Sequence, residues 1–73
     1  MKAKTISKKT PISATDIRFV QLLGDDYKVS DISDMIGMEK KKAIIYIANL
    51  KGRLGVRSAH GLVAEFYRNG LIK

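Results

Sequence analysis

Cysteine and tryptophan are absent from these 73 residues, and histidine and proline occur once each. Without cysteine there is no disulfide, no thiolate zinc site and no thiol nucleophile, and the composition fits a reducing compartment. The lone His60 cannot build a metal cage or a catalytic triad by itself, and it reads as a surface residue. Acids are scarce, 7 against 14 lysines and arginines, and none lies between Glu39 and Glu65. No paired carboxylates, no nucleophile–base pair and no phosphate-cradling glycine loop stand out, since Gly24, Gly37, Gly55 and Gly70 read as turns or helix ends. Neither an enzyme nor a cofactor is expected. No apolar run approaches the ~18 residues of a membrane span, and no apolar signal core follows the basic N-terminus. The expectation is a cytoplasmic protein that stays off the membrane.

What is present is unevenly placed. Residues 1–9 carry four lysines and no acid, for +4. Residues 10–39 hold two basic against six acidic residues, for −4, and residues 40–73 hold eight basic residues against Glu65, for +7. A patch of one sign attracts phosphate more effectively than the same charge spread evenly. At this length only about 60% of the unfolded surface is buried on folding. The core must therefore be thin, and a dimer contact can supplement it.

The periodicity predicts four helices and no strand. Residues 1–10 read as a basic flexible arm, either a solvated tail or a source of extra phosphate contacts. Pro11 disfavours helix before it and opens a single folded unit over residues 11–73. Ser13 or Thr15 can cap the first helix, with Asp16 well placed for its dipole. Its apolar residues are Ile17, Phe19, Val20, Leu22 and Leu23, and Gly24 is the expected stop. A short second helix follows from Ser30 or Asp31, with Ile32, Met35 and Ile36 as its stripe. Gly37 supplies the turn into a basic third helix over about 39–53. There Ala43, Ile47, Leu50 and Leu54 form one narrow stripe that must be buried. Gly52 costs about 1 kcal/mol inside a helix, so either the helix ends early or a partner approaches closely. Ser58 caps a fourth helix, whose stripe is Leu62, Val63, Phe66 and Tyr67, and Gly70 ends it.

A helix, a short glycine turn and a longer basic helix form the helix-turn-helix pattern. Over about residues 12–72 the chain resembles the DNA-binding domain of LuxR/GerE-type bacterial transcription regulators. The most specific piece is LGVRSAHGLVAEFYRNGLI, Leu54 to Ile72, close to the family's closing motif. Ile32, Ile36, Gly37 and Met38 match its I-A-x-x-L-G-I segment, Asn49 a position commonly Asn, and Arg53-Leu54-Gly55 its K-L-G. The departures fall on the first helix, which has Asp16 at one of the family's paired Glu positions and Arg18 at the other, and on the third. Where the family has Ser-x-x-Thr-Val, then Lys and His, this chain has Glu39, Lys42, Ala43, Ile44 and Tyr46. Glu39 complements a helix dipole but caps poorly.

The resemblance implies an all-α, four-helix LuxR/GerE-like helix-turn-helix domain, acting as a small standalone regulator that binds double-stranded DNA as a homodimer. The third helix would enter the major groove with its N-terminal part at the base edges. Lys40, Lys41 and Lys42 would meet phosphate or guanine, and Ile45 a thymine methyl. Asn49 would bond adenine or phosphate, and Arg53, Arg57 and Lys28 would hold the backbone. Tyr46 sits at the flank, its ring turned to the first or second helix or to a base. The family's fourth helix supplies the dimer contact, which here would draw on Leu62, Val63, Phe66 and Tyr67, unless that stripe only covers the core. The apolar and small residues Ile45, Ala48 and Gly52 also suit a protein surface. The alternative reading is therefore an adaptor or inhibitor that docks on another transcription regulator or on RNA polymerase.

Overall fold

A computed structural model describes residues 12–73, which form four α-helices and no strand. They are α1 (Ala14–Gly24), α2 (Val29–Ile36), α3 (Lys40–Leu54) and α4 (Ala59–Arg68). The arm expected over residues 1–10, and Pro11, lie outside the described residues. The all-helical architecture expected from the periodicity is observed, with each helix within two residues of its expected span.

Of the two candidate caps for α1, Ser13 is used. Its Oγ accepts from the Asp16 N–H at 3.1 Å, and its own N–H donates to Asp16 Oδ2 at 3.0 Å, a reciprocal capping box. The other end of α1 departs from expectation. Gly24 does not stop the helix; it lies inside the last turn, and the left-handed residue is Asp26, with φ 74°. The Asp26 N–H donates to the Leu23 carbonyl and the Tyr27 N–H to the Leu22 carbonyl, closing a Schellman turn around a non-glycine residue. Gly24 instead faces α4, where a Cβ would meet Val63 Cγ1 at 3.4 Å and Ile72 Cδ1 at 3.7 Å.

The buried stripe of α2 is also rotated from the expected one. Ile32 and Ser33 are fully buried, with Ile36 and Val29 packed beside them, whereas Met35 is exposed. A serine fits there because its hydroxyl is satisfied locally, donating to the Ser30 carbonyl at 2.6 Å. Gly37, in the left-handed region at φ 84°, then turns the chain into α3 with only Met38 and Glu39 between.

In α3 the expected stripe is the observed one. Ala43, Ile47, Leu50 and Leu54 are its buried residues, and they join Phe19, Val20, Ile32, Leu62, Phe66 and Ile72 in one core. Ser58 caps α4 by accepting from the Gly61 N–H at 3.0 Å. The most extensive helix contacts are between α2 and α3 and between α1 and α4, with smaller ones between α1 and α2 and between α3 and α4. Ile72 folds back into the core beyond α4, and the Lys73 N–H donates to Gln21 Oε1 of α1 at 3.0 Å. The α2–turn–α3 unit is thus backed by α1 and α4, with one long face of α3 left to solvent.

Candidate nucleic-acid interface

Burial of the Ala43–Ile47–Leu50–Leu54 stripe fixes what α3 shows outward. Lys40, Lys41, Lys42, Ile44, Ile45, Ala48, Asn49, Gly52 and Arg53 are all exposed, and no acid occurs within the helix. Glu39 is the N-cap residue, yet its side chain makes no capping bond, as its chemistry predicts.

The three lysines occupy the first turn of α3, where the helix dipole is positive and cations are disfavoured by about 0.3–1 kcal/mol each. Lys40 Nζ is offset by Asp34 Oδ1 at 3.1 Å, an exposed pair joining α2 to α3. Lys41 and Lys42 form no ion pair among the described residues. Local helix energetics therefore argue against this cluster, and an external anion would reverse the balance. Arg57, beyond the C-terminal end of α3, and Lys28, the N-cap residue of α2, are exposed as well.

Arg53 does not stand free as expected for a backbone contact. Its Nη2 lies 3.3 Å from Oδ2 of Asp16, whose side chain is almost wholly buried. Tyr46 donates its hydroxyl to the other oxygen, Oδ1, of the same carboxylate, and its ring meets Phe19 edge-on, 5.1 Å between centroids and 72° between planes. The boundary placement of Tyr46 against the first helix is therefore the one observed. Asp16 gathers the Ser13 N–H, the Tyr46 hydroxyl and the Arg53 guanidinium on its two oxygens. Burial pushes its pKa up, but those donors and the arginine charge outweigh burial and leave it below the ordinary carboxylate value. The Tyr46 phenol is pushed up to about 12, first by burial and then by the adjoining carboxylate.

Ser13, Asp16, Tyr46, Asn49, Leu50 and Arg53 line an open groove of about 560 Å³ between the start of α1 and the outer side of α3. Asn49 is exposed at its edge. Further round the helix, Ile44 and Ile45 are 59% and 58% exposed. A Cβ on Gly52 would meet nothing within 4 Å, so no contact among the described residues requires a glycine there. The helix also continues past it to Leu54, which removes an early helix end as the explanation.

The candidate dimer stripe of α4 divides. Leu62 and Phe66 are fully buried against the other helices, which makes them core residues and removes them from any partner contact. Val63 is half-buried, and Tyr67 is 64% exposed. His60 lies on the exposed side of α4.

The residue that sequence reasoning missed is Asp16. Its position near a helix start explained it locally, and nothing in the spacing pointed to partners 30 and 37 residues away. Among the described residues no group of three or more His, Cys, Asp or Glu could hold a metal, and no helix is long and apolar enough to cross a membrane. No family model, curated protein or solved structure matches the chain.

Proposed function

We propose that the chain is a DNA-binding transcription regulator of the bacterial cytoplasm, with a LuxR/GerE-like helix-turn-helix formed by α2, the Gly37 turn and α3. The observation that carries this reading is the outward face of α3. It is exposed along its length, free of acid, and led by three lysines in a turn where the helix dipole disfavours them. In the major groove Lys41 and Lys42 meet phosphate or guanine, Asn49 reaches a base edge or phosphate, and Lys28 and Arg57 hold the backbone. Lys40 and Arg53 join them by exchanging or sharing their carboxylate partners. Dimerisation would use Tyr67 and the exposed edge of Val63, the two residues of the α4 stripe not wholly taken by the core.

The test is the salt dependence of binding to duplex DNA. Each phosphate neutralised contributes a slope of about −0.9 in log K against log salt. Lys41→Ala with Lys42→Ala should flatten the slope by close to two such increments; an unchanged slope removes both from the interface. Selecting duplexes from a random pool at physiological salt then asks whether one sequence is enriched.

A second reading rests on the exposed Ile44 and Ile45, which are unusual on a polar reading surface. On that reading α3 docks on another transcription regulator or on RNA polymerase as an adaptor or inhibitor. It predicts weak, sequence-indifferent DNA binding, and a protein complex that Ile45→Glu abolishes while the isolated fold persists.

A further inference from the structure

Four of the five large apolar side chains exposed among the described residues lie on two faces of opposite charge. Ile44 and Ile45 stand on α3, whose 15 residues hold five cations and no acid. Tyr27 and Met35 stand on the α1–α2 turn and on α2, where residues 25–35 hold four acids against Lys28. Burial of Ile32 and Ser33 turns Asp31 and Asp34 to the outer side of α2, with Met35 next to them. The fifth side chain, Tyr67, belongs to α4. Each of the two faces thus combines exposed apolar surface with charge of one sign.

Several of these charges work against the helices that carry them. Asp34 lies in the last turn of α2, at the negative end of its dipole, and Lys41 and Lys42 lie in the first turn of α3, at the positive end. Lys40 and Asp34 form one exposed pair between the two helices. Asp26, Asp31, Lys41 and Lys42 form no ion pair among the described residues. A surface that fits the acidic face carries cations around exposed apolar side chains. The α3 face of a second copy is such a surface, and its own match is the acidic face.

We propose that two copies of this chain associate by seating α3 of one on the acidic α1–α2 face of the other. Every copy carries both faces, so the contact closes as a twofold pair or continues head to tail, and it is the same contact in either case. It is separate from the α4 contact through Val63 and Tyr67, and it does not depend on the DNA-binding reading. Where α3 also binds duplex, the second copy covers the lysines that meet phosphate. Association and DNA binding then exclude one another.

Sedimentation equilibrium tests the contact. Wild type and Tyr67→Glu should both self-associate at low salt, and both should lose that association toward ~1 M salt, where the screening length is about 3 Å. Asp31→Lys with Asp34→Lys should weaken association by at least about ten-fold, and so should Lys41→Glu with Lys42→Glu. An equimolar mixture of these two variants should restore it, because reversed acids then face reversed lysines. Both variants stay net positive, each shifting the +7 of the chain by four, so bulk attraction cannot produce that rescue. A misfolded variant cannot produce it either. A monomer at low salt, unchanged association in both variants, or a mixture no better than its components overturns the proposal. Loss of association in Tyr67→Glu alone assigns it to α4 and overturns the proposal as well. Added duplex should dissolve the wild-type assembly, and an assembly that persists with duplex held on α3 places the contact elsewhere. Failure of the duplex to bind at all counts against the DNA-binding reading and leaves the contact to be decided by the mixture.

Discussion

Tyr46 of α3 donates its phenolic hydrogen bond to Asp16 in the first turn of α1, on the carboxylate that also caps that helix and pairs with Arg53. One acid thereby ties α3, at two of its side chains, to the start of α1. Removing the donor alone, by Tyr46→Phe, leaves the ring on Phe19 and should cost about 1–2 kcal/mol. Asp16→Asn disturbs the cap, the phenol and the guanidinium together and should cost more, about 2–3 kcal/mol. For a domain of this size each kcal/mol lowers Tm by roughly 4–8 °C. Thermal melts followed by circular dichroism should rank wild type above Tyr46→Phe and Tyr46→Phe above Asp16→Asn; three coincident melts would contradict the role given to Asp16.

The same pair gives stability a pH dependence at both ends. Asp16 titrates lower in the folded protein than its ordinary 3.8. Its contribution is full above that value and is lost as pH falls through the depressed folded value, because the unfolded chain takes up its proton first. Tyr46 runs the opposite way: raised from 10.0 to about 12, it contributes fully below pH 10 and loses that contribution as pH rises toward 12. Urea midpoints measured against pH should fall at both extremes. Tyr46→Phe should remove its share of the alkaline loss, and a wild-type alkaline limb as flat as the variant's would refute that assignment.

How far the sequence reveals this arrangement depends on the range of the interaction. The α3 stripe of Ala43, Ile47, Leu50 and Leu54 was readable because helical periodicity is local, and Ser13 and Ser58 were readable as caps for the same reason. Met35 was expected inside because it is apolar and well spaced, but the tertiary neighbours of α2 select the smaller Ser33, whose hydroxyl satisfies itself on Ser30. Leu62, Val63, Phe66 and Tyr67 form one stripe in sequence, and only packing separates the core pair from the outward Tyr67. The Asp16 cluster was least readable, since its members meet only once α1 and α3 are assembled. The middle of the exposed face of α3 follows from the buried stripe opposite it, but its flank at Tyr46 and Arg53 does not, because Asp16 of α1 takes both side chains.

The α1–α2 turn offers a stability test independent of any ligand. Asp26 adopts φ 74°, a left-handed conformation that costs a non-glycine residue about 1–2 kcal/mol. Asp26→Gly relieves that cost against the extra chain entropy of glycine, about 0.4–1 kcal/mol. A net gain of up to about 1 kcal/mol is expected by chemical denaturation. At Gly24 a Cβ would make ordinary contact with Val63 and Ile72 from a helical position, so Gly24→Ala should be neutral or stabilising. A marked loss on Gly24→Ala would show that the helix, contrary to its geometry here, needs a glycine at its end.

Asp34 competes for Lys40 with any phosphate that α3 meets. The pair is well exposed on both sides, so it adds little to folding. Asp34→Asn removes a negative charge beside the lysine cluster and should tighten duplex binding by about two- to five-fold with little change in Tm. Weaker binding would place Asp34 itself in contact with the ligand.

The lysines at the start of α3 should behave oppositely in folding and in binding. Lys41 and Lys42 sit at the positive end of the helix dipole with no ion pair among the described residues. Lys41→Glu with Lys42→Glu puts acids where the dipole favours them and should stabilise the fold by about 0.5–1 kcal/mol. In the proposed complex the same acids face phosphate, and binding to duplex DNA should be lost. A residue kept for stability cannot give that combination, because its replacement would lower both quantities. If instead the double variant melts earlier and binds DNA as before, the cluster belongs to the fold and α3 meets its partner through another part of its surface.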